Sequence, residues 1–311
     1  MIYQILLVVL PVFFVVAAGY AAVRLKKFSV SGIDGLMIFT QTFAIPGLLF
    51  RNVMVLDLQE IFDWRLLVSF YTGATVCFFL ALFGAQWLFK RRPGEAVAIA
   101  MGALYSNTVL LGLPIMQRAY GAESLAPVFA IISIHSAFCY TLAIAAMEVA
   151  RADGRSLIQT VRVVLNSMLR NALIIGLALG FVVNLSGIVL PTVLVEGIDL
   201  LARAGLPAAL FALGGVLTRY PITGQLGEAG MVSGLSLIVH PAIAYGLSHF
   251  VFQMPIEFVR AAVVTAAMAP GVNVYIFANM YNRATNTAAT TVLFATAVSV
   301  FSVSAWLWIL G

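Results

Sequence analysis

Apolar residues run along this chain in long blocks, separated by short stretches that hold most of the Lys, Arg, Asp and Glu. A helix needs about 20 mostly apolar residues to cross the hydrocarbon of a bilayer. Ten blocks meet that length, at approximately 2–23, 32–52, 65–89, 94–119, 124–148, 164–187, 191–217, 228–252, 257–281 and 286–310. The pattern predicts an all-α polytopic membrane protein of ten transmembrane helices. The longest intervening stretch, about 151–163, is too small to form a domain. The first block begins at Ile2 with neither a basic leader nor a small-residue cleavage site, so it is expected to be a retained helix and not a signal peptide.

Two blocks carry polar and helix-breaking residues at their centres. The fourth contains Tyr105-Ser106-Asn107-Thr108-Val109-Leu110-Leu111-Gly112-Leu113-Pro114, and the ninth contains Ala269-Pro270-Gly271-Val272-Asn273. Proline removes a backbone donor and clashes with the preceding turn. Backbone groups freed within a membrane must be satisfied by protein or by a water-lined cavity. Helices 4 and 9 are therefore expected to be broken and to cross near the midplane. Gly/Pro-interrupted segments at matching places in two halves of a chain point to the binding site of a secondary transporter.

The halves do match. Span 2 reads Pro46-Gly47-Leu48-Leu49-Phe50 and span 7 reads Pro207-Ala208-Ala209-Leu210-Phe211, with the prolines 161 residues apart. Spans 4 and 9 end at Tyr120 and Tyr281, at the same offset of 161. With five spans in each half, the second half must enter from the opposite side, which predicts two inverted repeats. The expected organisation is a first repeat over 1–150, a cytoplasmic linker over 151–163 and a second repeat over 164–311.

Composition agrees with this class. Of 311 residues, 62% are hydrophobic and 9% charged, where a soluble domain has roughly 25% charged. The net charge of +5 does not imply nucleic acid, because the basic residues sit in short loops. Eleven of the 17 Lys and Arg fall on one side: Arg24, Lys26, Lys27, Lys90, Arg91, Arg92, Arg151, Arg155, Arg162, Arg219 and Arg283. Excess Lys and Arg mark the cytoplasmic side, so both termini are expected outside. Cys77 and Cys139 fall within spans and read as apolar packing residues. There is no phosphate-binding glycine loop, nucleophile–base motif or metal-ligand spacing, so neither an enzyme, a metal site nor a cofactor is expected.

Polar residues inside the spans are the candidates for function. Asn107, Thr108 and Asn273 add donors and acceptors at the breaks, where half-helix N-termini offer N–H groups and a positive dipole end to an anion. His135 lies near the centre of span 5, where it either bonds to a neighbouring helix or serves as substrate contact or proton relay. His240 precedes Pro241, whose freed backbone groups it could satisfy. Arg203 lies midway along span 7. It either pairs with Asp199 one turn away, with Glu196 near, or attracts a carboxylate. Thr40, Gln41 and Thr42 precede Pro46 as packing donors or site lining. No Asp or Glu occupies the centre of a span. Coupling to an ion would therefore use H⁺ at His135, or Na⁺ at amides and carbonyls of the breaks.

Ser106-Asn107-Thr108 followed by Leu111-Gly112-Leu113-Pro114 and Ala119-Tyr120-Gly121 resembles the fourth span of the auxin efflux carrier family. That family includes the plant PIN proteins and bacterial permeases linked to malonate or malate. Ala266 to Gly271 with Ala278-Asn279-Met280-Tyr281-Asn282 resembles its ninth span, and Tyr140-Thr141-Leu142 with Glu148 the end of its fifth. The resemblance implies an architecture like that of NhaA and the bile-acid transporters. It implies a scaffold of spans 1, 2, 6 and 7, a transport domain of spans 3–5 and 8–10, elevator-type alternating access, and a homodimer through the scaffold. It implies that a carboxylate sits against Asn107 and that His135 lines the same pocket. The chain departs from the plant pattern at Ser106, at Pro270, which is displaced by one position, at Leu49 and in its lack of a large cytoplasmic loop. These departures point away from auxin and towards a small organic anion handled in a bacterial inner membrane. The expected substrate-binding set is Asn107, Thr108, His135, Pro270, Gly271 and Asn273. Gly112, Pro114, Pro46 and Pro207 are the expected helix breaks. A gated anion channel or a ligand-binding membrane sensor on the same helices is the alternative.

Overall fold

The structure, a computed structural model, describes residues 2–56, 63–151, 171–220 and 225–311. Among them it is helical throughout, with one isolated antiparallel β-bridge, Ser106–Pro270. In chain order the helices are α1 (Ile2–Arg24), α2 (Val30–Val53), α3 (Trp64–Trp87), α4 (Pro93–Leu104), α5 (Leu113–Tyr120) and α6 (Leu125–Arg151). They continue with α7 (Ala172–Ser186), α8 (Thr192–Leu217), α9 (Leu226–Val251), α10 (Ile256–Ala266), α11 (Asn273–Met280) and α12 (Thr285–Leu310). Seven of these, α1, α2, α3, α6, α8, α9 and α12, are long and apolar enough to cross a membrane. The expected spans at 94–119 and 257–281 appear as paired shorter helices, α4 with α5 and α10 with α11. Of the expected span at 164–187, α7 is described. Its first residues, including Arg170, and most of the 151–163 linker, including Arg155 and Arg162, lie outside the described residues.

Proline shapes several helices without ending them. In α2 and α9 a π-helical turn stops two residues before the ring, at Thr40–Ala44 before Pro46 and at Leu235–Val239 before Pro241. The residue just before each proline, Ile45 or His240, donates five residues back, to the carbonyl of Thr40 or Leu235. That widened turn relieves the clash between the ring and the carbonyl four residues earlier. α8 runs through Pro207 with no interruption. The expectation of helix breaks at Pro46 and Pro207 is therefore corrected: both are absorbed within continuous helices.

The chain divides into two compact units, Met1–Leu10, Asp63–Val164 and Tyr220–Gly311 in the first, and Pro11–Phe62 and Leu165–Arg219 in the second. The second unit is built on close glycine contacts. Gly176 and Gly180 of α7 face α2, where an added Cβ would lie 2.6 Å from the Pro46 carbonyl oxygen and 3.0 Å from that of Phe50. Small residues four apart let membrane helices approach this closely. One turn on, Asn184 Nδ2 donates to the carbonyls of Val53, Met54 and Leu56 at 3.1, 3.1 and 2.7 Å, which closes the C-terminal end of α2. Between α1 and α8 an added Cβ on Gly19 or Gly214 would lie 1.9 Å from the carbonyl oxygen of Phe211 or Val16. Asp199 does not pair with Arg203 as expected. Arg51 Nε lies 3.0 Å from its Oδ1, because α2 brings a closer cation than the next turn of α8 supplies.

The first unit satisfies its polar groups over longer sequence distances. Pro11 leaves the Leu7 carbonyl without its usual donor, and Arg118 Nη2 bonds it at 2.9 Å while Nε bonds Val8 O at 3.1 Å. Pro241 does the same to Leu237, whose carbonyl accepts from Trp306 Nε1 at 3.0 Å. His240 was expected to serve this role. Instead its Nε2 bonds the Phe70 carbonyl at 3.0 Å, across a contact where Gly73 leaves room for the imidazole. Arg91 and the buried Glu228 form an ion pair at 2.6 Å.

Candidate functional site

α4 is a run of small residues, buried from Ala96 to Leu104. It stops because Tyr105 adopts φ −101° and ψ 84°, outside the helical region. α10 stops at Ala266, four residues before Pro270, whose ring disfavours helical geometry in the residue before it. The two interruptions meet. Asn107 N–H donates to Ala269 O at 2.9 Å, and Gly271 N–H donates to Tyr105 O at 3.1 Å, on either side of the Ser106–Pro270 bridge. Each chain segment thus supplies the partners that the other lost on leaving its helix, which is what irregular backbone within a membrane requires. Gly271 packs closely here, and a Cβ there would meet Asn107 and Tyr105 at 3.7 Å, an ordinary contact.

Asn107 organises the turn after the interruption. Its Oδ1 accepts from Leu110 N–H at 3.1 Å, and its carbonyl accepts from Leu111 and Gly112 N–H at 3.3 and 3.0 Å. A π-helical turn, Thr108–Gly112, runs straight on into α5, and Leu113 N–H donates to Thr108 O just before Pro114. The expected breaks at Gly112 and Pro114 are therefore corrected as at Pro46: both lie in continuous helix, and the chain is interrupted at 105–107 instead. The expectation of open N–H groups at this half-helix is corrected here, because Asn107 occupies three of them. Asn273 begins α11, and its Oδ1 accepts from Tyr140 O–H at 3.2 Å. Each side-chain oxygen accepts one bond, and each amide keeps its NH₂ as a donor. Two asparagines are in this way oriented as donors.

His135 is buried and its Nε2 lies 3.1 Å from the Ser106 carbonyl. A carbonyl can only accept, so this nitrogen holds the proton, and Nδ1 faces Cys139 Sγ at 3.7 Å. Rings enclose it: Tyr105 at 4.7 Å, Phe70 at 5.6 Å and Tyr71 at 6.1 Å between centroids. Thr108 is buried beside it and donates its N–H to Ser106 O at 2.9 Å.

The structure therefore brings Asn107, Thr108, His135, Pro270, Gly271 and Asn273 to one place, with Gly112 and Pro114 leading away from it. Pro46, Pro207 and Arg203 belong to the second unit, with Arg203 exposed on α8. Three tyrosines beside these residues carry no site motif in the sequence: Tyr71, whose O–H bonds Ile131 O at 2.8 Å; Tyr105, bonded to Ser136 Oγ at 2.6 Å; and Tyr140. Their signal is available in the sequence, because a phenol inside a membrane span must find a partner.

The family model described as membrane transport protein matches residues 4–307. A Rhizobium meliloti protein named "Putative malonate transporter" is 28% identical over 305 residues, covering 97% of this chain and 94% of its own. The Escherichia coli K12 protein named "Uncharacterized transporter YfdV" is 27% identical over 304 residues, covering 96% and 95%. A rice protein named "Probable auxin efflux carrier component 5a" is 21% identical over 346 residues, covering 96% and 94%.

Proposed function

This chain belongs to the membrane transport protein family that includes auxin efflux carriers, and from that premise we propose that it is a secondary transporter of a small organic anion. The observation that carries the reading is the pair of amides at the paired interruption. Asn107 and Asn273 each have the side-chain oxygen held by an internal donor, which leaves their NH₂ groups as donors for a bound acceptor. The N-terminal end of α11 adds a positive dipole end, although Val274 and Ile276 N–H are already bonded to the Gly271 and Val272 carbonyls. Neutral donors of this kind suit a carboxylate that must later be released. The name of the Rhizobium meliloti relative supports malonate as the first probe.

In this reading the ten expected spans form two inverted repeats with α4–α5 and α10–α11 as crossed broken helices. The second unit, with the α2, α7 and α8 contacts, is the scaffold and the homodimer surface. The first unit, which holds the site, is the moving domain of an elevator. The separation of the contacts into two units supports this division. Both termini lie on the outer side of a bacterial inner membrane, and H⁺ or Na⁺ is the coupling ion.

The test is thermal stabilisation of the purified protein by malonate, malate, succinate and indole-3-acetate, with and without sodium, followed by uptake of the active compound into proteoliposomes. A ligand that binds the folded state alone raises the melting temperature. A carboxylate that stabilises and is taken up saturably sustains the proposal, and sodium dependence of the shift identifies the coupling ion. A folded protein that responds to none of the anions overturns it.

A further inference from the structure

Ser106 stands at the centre of the interruption and is 1% exposed. Its carbonyl accepts from Thr108 N–H and from His135 Nε2, but its hydroxyl has no hydrogen-bond partner. Several buried serines and threonines of the first unit behave differently, although the Tyr120 hydroxyl is also unpartnered. Ser69, Ser233, Thr265, Thr296 and Ser299 each donate to a carbonyl three or four residues earlier in the same helix. That route needs a continuous turn on the N-terminal side. Tyr105 has already left the helix, so Ser106 cannot bond back into α4. The nearby tyrosine hydroxyls are also engaged, Tyr105 with Ser136 and Tyr140 with Asn273. A buried hydroxyl with no partner is unfavourable, and this one lies directly between the residues that pair the two interruptions.

We infer that the Ser106 hydroxyl is a substrate contact, donating to a carboxylate oxygen of an anion held by the amides of Asn107 and Asn273. The inference rests on the reading of the interruption as an anion site. It assigns Ser106 the part of raising affinity for a carboxylate over a ligand with no acceptor here, since such a ligand leaves the hydroxyl unpaired when bound.

The experiment compares the full-length protein with Ser106→Ala and Asn107→Ala, using malonate as probe and measuring both the ligand-free melting temperature and Kd by calorimetry. Ser106→Ala is expected to melt no lower than the parent, because it removes an unpaired polar group. Its Kd is expected to rise about tenfold or more, the loss of one hydrogen bond to a charged group. A melting temperature well below the parent makes the hydroxyl structural and overturns the inference. An unchanged Kd in Ser106→Ala, with binding lost in Asn107→Ala, also overturns it while leaving the anion site standing. Absence of binding in the parent across malonate, malate and succinate overturns both.

Discussion

Asn107 has two separable tasks, and two substitutions distinguish them. Its Oδ1 caps the turn that leads into α5, accepting from Leu110 N–H at 3.1 Å. Its NH₂ is assigned to the anion. Replacement by Ala removes both. Loss of an N-cap costs about 1 kcal/mol, which at ~2–4 °C per kcal/mol is a small fall in melting temperature. Loss of a hydrogen bond to a charged group costs ~1.5–3 kcal/mol, or roughly a 10–150-fold rise in Kd. Ser is also a good N-cap, but its short hydroxyl replaces the amide donors. Asn107→Ser should therefore melt near the parent while binding malonate as weakly as Asn107→Ala. Scanning fluorimetry in detergent gives the first quantity and calorimetric titration the second. If Asn107→Ser keeps the parent's affinity, the amide is not the ligand and its role is the cap alone.

Other substitutions test the rest of the structure. Tyr140→Phe removes the donor that orients Asn273; malonate affinity should fall several-fold with melting almost unchanged, and an unaltered Kd would remove Asn273 from the site. Gly19→Ala should destabilise although Ala favours a helix by ~1 kcal/mol, because its Cβ would lie 1.9 Å from Phe211 O; a melting temperature at or above the parent's would show that α1 and α8 are not in contact there. Asn184→Leu leaves the Val53, Met54 and Leu56 carbonyls without this donor and should cost ~1–3 kcal/mol, read as a lower melting temperature. Trp306→Phe should cost a similar ~1–3 kcal/mol, since it strips the Leu237 carbonyl of its donor. Pairing it with Pro241→Ala, which restores a backbone donor, should recover part of the loss.

Much of the fold was legible because the membrane imposes it. The apolar blocks located the seven membrane-length helices to within a few residues, since length and hydropathy are local properties. The clustering of Asn, Gly and Pro marked 105–114 and 269–273 for the same reason. The partners of polar groups were not legible. Asp199 has Arg203 at a favourable helical spacing, yet its ion pair is with Arg51, which is distant in sequence. Asn184 shows no sequence pattern that distinguishes it from an ordinary polar residue near a helix end. Its three carbonyl partners follow from the glycine spacing at 176 and 180, which fixes how close α7 comes to α2.

Proline shows most clearly where sequence reasoning stops. The ring removes one donor and opens one carbonyl wherever it occurs, yet the outcomes here differ. Pro46 and Pro241 follow π-helical turns within continuous helices. The carbonyls opened by Pro11 and Pro241 are taken by Arg118 and Trp306, side chains far away in sequence. Pro270 faces a second interrupted segment, whose Asn107 N–H and Tyr105 carbonyl match the Ala269 carbonyl and Gly271 N–H. A freed backbone group thus leads to a tolerated proline when a side chain or a widened turn reaches it. It leads to an opened helix when another opened backbone does. The choice depends on what lies opposite, which is fixed by tertiary packing and not by the residues around the proline. The same logic supports the proposed site. Backbone pairing across the interruption satisfies the main chain and leaves the side chains of Ser106, Asn107 and Asn273 with donors to spare, and donors without an internal acceptor are what an anion requires.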